Sequence, residues 1–180
     1  MSTEQHELSP TRLDVSDLID SPGASRQVDL DVPLPAGFEV PLTRFGDEVG
    51  VTGVLESLVD GVLLRGSFEV DVAQSCAACL EPIDPHVLTA DVAELYGDPA
   101  DADDPDDVEQ GFEIVDGVID IDPAIRDALA QVTPAAPKCR PDCAGLCPTC
   151  GANLNTTTCD CVDEVVDDRW AALADLEINP

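Results

Sequence analysis

From Val49 to Val72, apolar and polar residues alternate through two runs, VGVTGVLESLV and VLLRGSFEVDV, on either side of Asp60-Gly61. Phe68, Val70 and Val72 fall on one face, Glu69 and Asp71 on the other. A period of two marks a strand with one buried and one wetted face. Asp-Gly between two such runs predicts a two-residue type I′ hairpin. The same alternation predicts a strand through Val28, Leu30, Val32 and Leu34. Pro33 assigns that strand to an edge, because proline has no N–H for an inner ladder. A further strand is predicted from Val87 to Leu95, and a second hairpin from FEIV and VIDI about Asp116-Gly117.

Helical spacing is rarer. Leu13 to Ile19 fits one or two helical turns, ended by Ser21-Pro22-Gly23. Asp122-Pro123 reads as an N-cap followed by proline at the first helical position, with Ile125, Leu129 and Val132 as the apolar face. Arg126 falls off that face as a solvated or ion-paired residue. Val166, Trp170 and Leu173 lie at i, i+4 and i+7, which predicts a short amphipathic C-terminal helix with Trp170 as its packing anchor. Residues 1–12 carry no periodicity and read as a disordered arm. Residues 97–110 hold seven acidic residues and no basic one, the composition of a solvated loop. The fold class is therefore α+β: an antiparallel β-rich body with one packing helix over 13–137, then a Cys-rich tail and short helix over 138–180.

Charge narrows the function classes. The chain has 38 acidic and 8 basic residues, a formal net charge of −30, and one lysine, Lys138. Such a surface repels phosphate backbones and disfavours generic nucleic-acid binding. It is compatible with a basic protein partner, with a solubilising role, or with a high-salt or high-GC source. The opening MSTEQHELSPTR has neither a basic start nor an apolar run, and no apolar stretch approaches a membrane span, so the expected location is cytoplasmic.

In a cytoplasmic setting thiols stay reduced, and clustered cysteines point to metal rather than disulfides. Six of the eight cysteines fall between Lys138 and Cys161, spaced C-x3-C-x3-C-x2-C-x8-C-x-C. Zinc prefers four thiolates in a tetrahedron, delivered as close pairs on tight turns. Cys147-Pro148-Thr149-Cys150-Gly151 is one such pair, and Cys159-Asp160-Cys161 supplies the second across the polar, turn-prone GANLNTTT. The expected Zn²⁺ ligands are Cys147, Cys150, Cys159 and Cys161. Cys139 and Cys143 either join Cys76 and Cys79 in a second site that clips the tail to the β-body, or compete with the Cys159/Cys161 pair for one ion.

Together the motifs resemble the YceD family, the large ribosomal RNA subunit accumulation proteins of bacteria and plastids. The resemblance runs through DGVLLRGSFEV, SCAACLEPI, the acidic break, the capped helix, CRPDCAGLCPTCGANLN…CDC and DDRWAALADL, about Leu13 to Leu176. It implies a non-enzymatic role in synthesis, processing or stability of 23S rRNA in ribosome biogenesis, with ribosomal or rRNA-processing proteins as partners and the rRNA itself as an indirect one. Ala78 stands where the family usually reads arginine, and Asp168 where it usually reads proline. The long cysteine cluster is not universal in the family, which makes it a stabiliser rather than the core function. Lys138, Arg140 and Arg169 are the basic residues near these motifs and the candidates for RNA or partner contact.

Two other readings remain beside it. A direct RNA-binding zinc protein would use the knuckle and these cations, without the aromatic and basic patches such proteins carry. A thiol redox or metal-dependent enzyme would need activated thiolates, but Cys76-Ala77-Ala78-Cys79 sits in a β context rather than at a helix start. His6 and His86 offer no convincing base, and no catalytic set stands out, so the chain reads as no enzyme.

Overall fold

Most of the alternating runs form one five-stranded antiparallel sheet, and VIDI joins a separate two-stranded one, in the computed structural model, which describes residues 9–97 and 112–161. The elements are β1 (Arg12–Asp14), β2 (Ser25–Pro33), β3 (Thr43–Phe45), β4 (Glu48–Leu58), β5 (Gly61–Ser75), β6 (Pro82–Tyr96), β7 (Val118–Asp120) and α1 (Asp122–Val132). Strand β5 is the axis of the sheet. It pairs with β4 and then β3 along one edge and with β6 along the other. Among the described residues β2 pairs with β4 alone, so Pro33 does lie on an edge strand.

One face of the sheet is the core wall. Val62, Leu64, Phe68, Val70 and Val72 of β5 are buried in alternation, beside Val28 and Val32 of β2, Val49, Val51 and Leu55 of β4, and Ala90, Val92 and Tyr96 of β6. Helix α1 and the β1–β7 pair cover this wall, contributing Ala124, Ile125, Ala128, Leu129, Ile119 and Ile121. Each fully buried aliphatic or aromatic side chain removes enough apolar area from water to contribute roughly 1.5–3 kcal/mol. The opposite face carries Asp29, Asp31, Glu69, Asp71 and Asp91, all exposed. Strand periodicity thus sorts much of the acidity of the sheet onto the wet side.

Several local expectations are corrected. Leu13 lies in β1, and the segment after it makes a single turn through Ile19 N–H to Val15 O, because β1 finds a ladder with β7 that a short helix would forfeit. Thr11 is buried and Arg12 opens β1, so ordered chain precedes Leu13. The first hairpin turns at Val59-Asp60, since Leu58 pairs with Gly61. Gly61 is needed for another reason: its φ is +143°, and a Cβ there would stand 2.0 Å from the Tyr96 carbonyl oxygen. The second turn does have Asp116 and Gly117 at positive φ, as a type I′ turn requires. Yet FEIV forms no strand: it makes one bridge across this turn, Val115–Val118, and a parallel one from Glu113 to Gly97, while the ladder partner of β7 is β1.

Helix α1 also begins differently. Ile121 is its N-cap, and the Asp120 carboxylate accepts the Asp122 N–H at 3.0 Å. Asp122 is left to pair with Arg126 one turn on, and Arg126 also donates to the Ala36 carbonyl at 2.9 Å. Val132 is 37% exposed; the buried face is Ala124, Ile125, Ala128 and Leu129. The acidic loop beyond Gly97, Arg169 and the Val166/Trp170/Leu173 helix lie outside the described residues.

Candidate metal centre

Strand β5 keeps its inward phase through Gln74 to Cys76, which is why Cys76 is fully buried at the sheet corner. The chain then turns back into β6. Leu80 N–H bonds the Cys76 carbonyl at 2.9 Å, and Cys76 N–H bonds the Glu81 carbonyl at 2.8 Å. The second turn repeats this pattern. Gly151 N–H bonds the Cys147 carbonyl at 2.9 Å, and Cys147 N–H bonds the Ala152 carbonyl at 2.8 Å. Both turns close with a left-handed residue, Leu80 at φ +61° and Gly151 at φ +72°. Two C-x-x-C segments of unrelated sequence neighbourhood therefore form the same knuckle. Leucine at that angle is costly, which makes Leu80 the strained copy.

Each knuckle meets a second cysteine pair. Cys76 and Cys79 lie with Cys139 and Cys143, and Cys147 and Cys150 with Cys159 and Cys161. Within each group the four sulfurs are all within 4.8 Å of one another. In the first, Cys76 Sγ is 3.7 Å from Cys143 Sγ, and Cys79 Sγ is 3.7 Å from Cys139 Sγ. A disulfide needs about 2.05 Å. A tetrahedron with metal–sulfur bonds of about 2.3 Å has edges of about 3.8 Å, so the spacing fits a divalent soft metal. We call the first group the clip site, since it joins the β5–β6 corner to the tail, and the second the tail site. A division of the chain between 137 and 138 would run through the ligand set of the clip site.

The thiols are polarised as a cation site would be. Cys76 is lowered to about 6 by the backbone N–H of Cys139, then those of Cys79 and Ala78. Cys147 is lowered to about 6 by the N–H groups of Cys150 and Thr149. Cys139 is pushed up to about 12 by burial and then by its neighbouring thiols. Cys161 is pushed up to about 12 by Cys150 first and burial second. In each group backbone N–H groups thus stabilise one thiolate, whose charge resists ionisation of the others until a dication neutralises the group.

The two sites are not independent. Leu146 N–H bonds the Ala78 carbonyl at 3.0 Å, and Gly145 lies so close beneath it that a Cβ would stand 3.0 Å from that oxygen. Asn155, in the loop between the two pairs of the tail site, donates Nδ2–H to Cys143 Sγ at 3.4 Å. That contact is the largest influence lowering the Cys143 thiol. Asn155 Oδ1 accepts from Ala144 N–H at 2.9 Å and from the Arg140 guanidinium at 2.6 Å, while Asn153 Oδ1 fixes its Nδ2 at 2.8 Å. Asn153 in turn reaches Glu81 Oε1 at 3.3 Å. Reading GANLNTTT only as a polar loop misses Asn153 and Asn155; the N-x-N spacing is too common to single them out.

Of the candidate contact residues, Arg140 is engaged by Asn155 and by Asp142 at 3.5 Å, whereas Lys138 makes no ion pair or side-chain hydrogen bond among the described residues. No helix among the described residues is long and apolar enough to cross a membrane.

Comparison with known proteins agrees with this arrangement of motifs. Residues 64–177 match the family described as large ribosomal RNA subunit accumulation protein YceD. An uncharacterized protein of Mycobacterium tuberculosis is 33% identical over 178 residues, covering 97% of this chain and 85% of that protein. One of Mycobacterium leprae is 31% identical over 179 residues, covering 98% and 82%. The chloroplastic large ribosomal RNA subunit accumulation protein YCED homolog 1 of Zea mays is 49% identical over 51 residues, 28% of this chain and 17% of that one. No solved structure matches. With a family match that spans well over half the chain and takes in both knuckles, this protein belongs to the YceD family.

Proposed function

We propose that this protein is a non-enzymatic, cytoplasmic factor in the accumulation of large-subunit (23S) rRNA, acting through basic protein partners of the ribosome or its rRNA-processing machinery. The observation that carries the reading is the family match over residues 64–177, which includes all eight cysteines. The charge supports an indirect route to RNA. At −30, each approach to a phosphate is repulsive unless a local cation intervenes. Arg26, Arg65, Arg126 and Arg140 each have a carboxylate partner, which leaves few cations to offer.

In this reading both tetracysteine groups hold Zn²⁺. The clip site takes Cys76, Cys79, Cys139 and Cys143; the tail site takes Cys147, Cys150, Cys159 and Cys161. The donors fit: four sulfurs at tetrahedral spacing, with knuckle N–H groups aimed at the thiolates. Zinc here is structural, since four protein thiolates leave no open position for substrate. Its work is to hold the tail against the β5–β6 corner and present one joined surface.

Deletion of the gene should lower mature 23S rRNA relative to 16S rRNA, read by quantifying both from total RNA. Unchanged ratios would remove the assignment. Gel shifts with bare 23S precursor should show weak binding, and tight, salt-sensitive binding would refute the indirect route.

A further inference from the structure

Nothing in a pair of independent zinc knuckles requires one to touch the ligands of the other. Here the contact is specific. Asn155 belongs to the loop that tail-site ligation closes, between Cys150 and Cys159, and its amide reaches Cys143 Sγ of the clip site. The loop also reaches Glu81, just beyond the clip knuckle, through Asn153, and Leu146, the residue before the tail knuckle, donates its N–H to the Ala78 carbonyl. Four hydrogen-bonding partners hold Asn155: Arg140, Ala144, Asn153 and Cys143. An amide fixed on so many sides orients the sulfur it touches, as outer groups orient metal ligands generally.

We propose that the two tetracysteine sites load as a coupled pair, with Asn155 as the positioning residue that carries the coupling from the tail site to the clip site. The proposal rests on the metal reading above. Loading has a direction in folding. The tail site gathers ligands from a short local segment, Cys147 to Cys161, whereas the clip site closes spans of 60 and 67 residues. Short spans close at lower entropic cost, so the tail site fills first. Its closure then sets the 151–158 loop and brings Asn155 to Cys143. At equilibrium the coupling is reciprocal: whatever factor tail-site metal adds to clip-site affinity, clip-site metal adds to the tail site. The clip between tail and β-body thereby becomes contingent on metal in the tail.

The test uses the full chain, stripped by chelator and titrated with Co²⁺, whose thiolate charge-transfer band reports each site, followed by Zn²⁺ competition against a chromophoric chelator. Cys79→Ser isolates the tail site and Cys159→Ser isolates the clip site. In Asn155→Ala, two metals per chain should remain, with clip-site affinity about 10–100-fold lower, the range for loss of an outer-shell partner. Cys159→Ser should weaken the clip site by at least that factor. Tail-site affinity should be the same in Cys79→Ser and in Cys79→Ser/Asn155→Ala. Asn155→Asp, which keeps the acceptor oxygen and removes the N–H donor, should reproduce the clip-site loss and guards against a folding defect in the alanine variant. Clip-site affinity unchanged in both Asn155 variants, or in Cys159→Ser, overturns the coupling. A wild-type chain that binds no metal overturns instead the metal reading beneath it.

Discussion

Removing the clip site should destabilise the whole β-body, by an amount the chain topology sets. Consider Cys76→Ser/Cys79→Ser in the zinc-saturated protein. In the proposed zinc-bound form, the metal removed joins Cys79 to Cys139 across 60 residues and Cys76 to Cys143 across 67. By the loop-closure relation used for covalent cross-links, a span of that length constrains the unfolded chain by about 4 kcal/mol. For a chain of this size each kcal/mol moves the melting midpoint by about 2–4 °C, so the expected fall is roughly 8–16 °C. Circular dichroism of the sheet band reads it, with zinc at the same free concentration in both samples. The matched control is Cys150→Ser/Cys161→Ser. It removes a cross-link internal to the tail and reaches the β-body only through the weakened clip. A 10–100-fold affinity loss there corresponds to about 1.4–2.7 kcal/mol, so the control should melt above the clip variant. A clip variant within about 3 °C of wild type, or one that melts above the control, would falsify the reasoning.

Other consequences are local. Tyr96, the chain's only tyrosine, is fully buried with no hydrogen-bond partner for its hydroxyl among the described residues, so Tyr96→Phe should stabilise by about 1 kcal/mol in denaturant titration rather than cost stability. Burial pushes its ionisation well above the usual phenol range, so the unfolded chain gives up that proton first. The resulting contribution is intact below the unfolded phenol value near 10 and is lost as pH rises beyond it. Its phenolate absorbance should therefore appear only together with alkaline unfolding, and a phenolate signal from folded protein would contradict the burial. Gly61→Ala, which places a methyl 2.0 Å from the Tyr96 carbonyl at a φ of +143°, should cost at least about 2–3 kcal/mol by the same titration.

Where sequence reasoning went astray, the local pattern was right in kind and its surroundings in the fold decided the outcome. Leu13 to Ile19 has helical spacing, but β7 offers Arg12 to Asp14 a ladder. Asp60-Gly61 has the composition of a turn centre, yet Gly61 pairs with Leu58 as the first residue of β5, and the next residue's pairing with Tyr96 sets it beside the Tyr96 carbonyl. Asp122 has the chemistry of an N-cap, but Asp120 stands two residues earlier on β7 with its carboxylate already aimed at the helix. Val132 has the right phase for the core face of α1 and sits at its last turn, where the sheet no longer covers it.

The sequence by itself determined what lies within a few residues' reach. The alternation of β5 put Val62 through Val72 on one face, because successive side chains in a strand must oppose. Cys147 to Gly151 specified its knuckle, because a tight turn needs only its own five residues and a left-handed last one. The tertiary structure alone decided that Ser75-Cys76 to Leu80, with leucine in that left-handed place, is a second copy of the knuckle. It also decided that Cys139 and Cys143 face Cys76 and Cys79 rather than compete with the Cys159/Cys161 pair for the tail site, and that Asn155 spans both sites. Those choices join residues 12 to 67 positions apart. Local spacing says nothing about such separations; β5, β6 and the tail set them by packing at one corner.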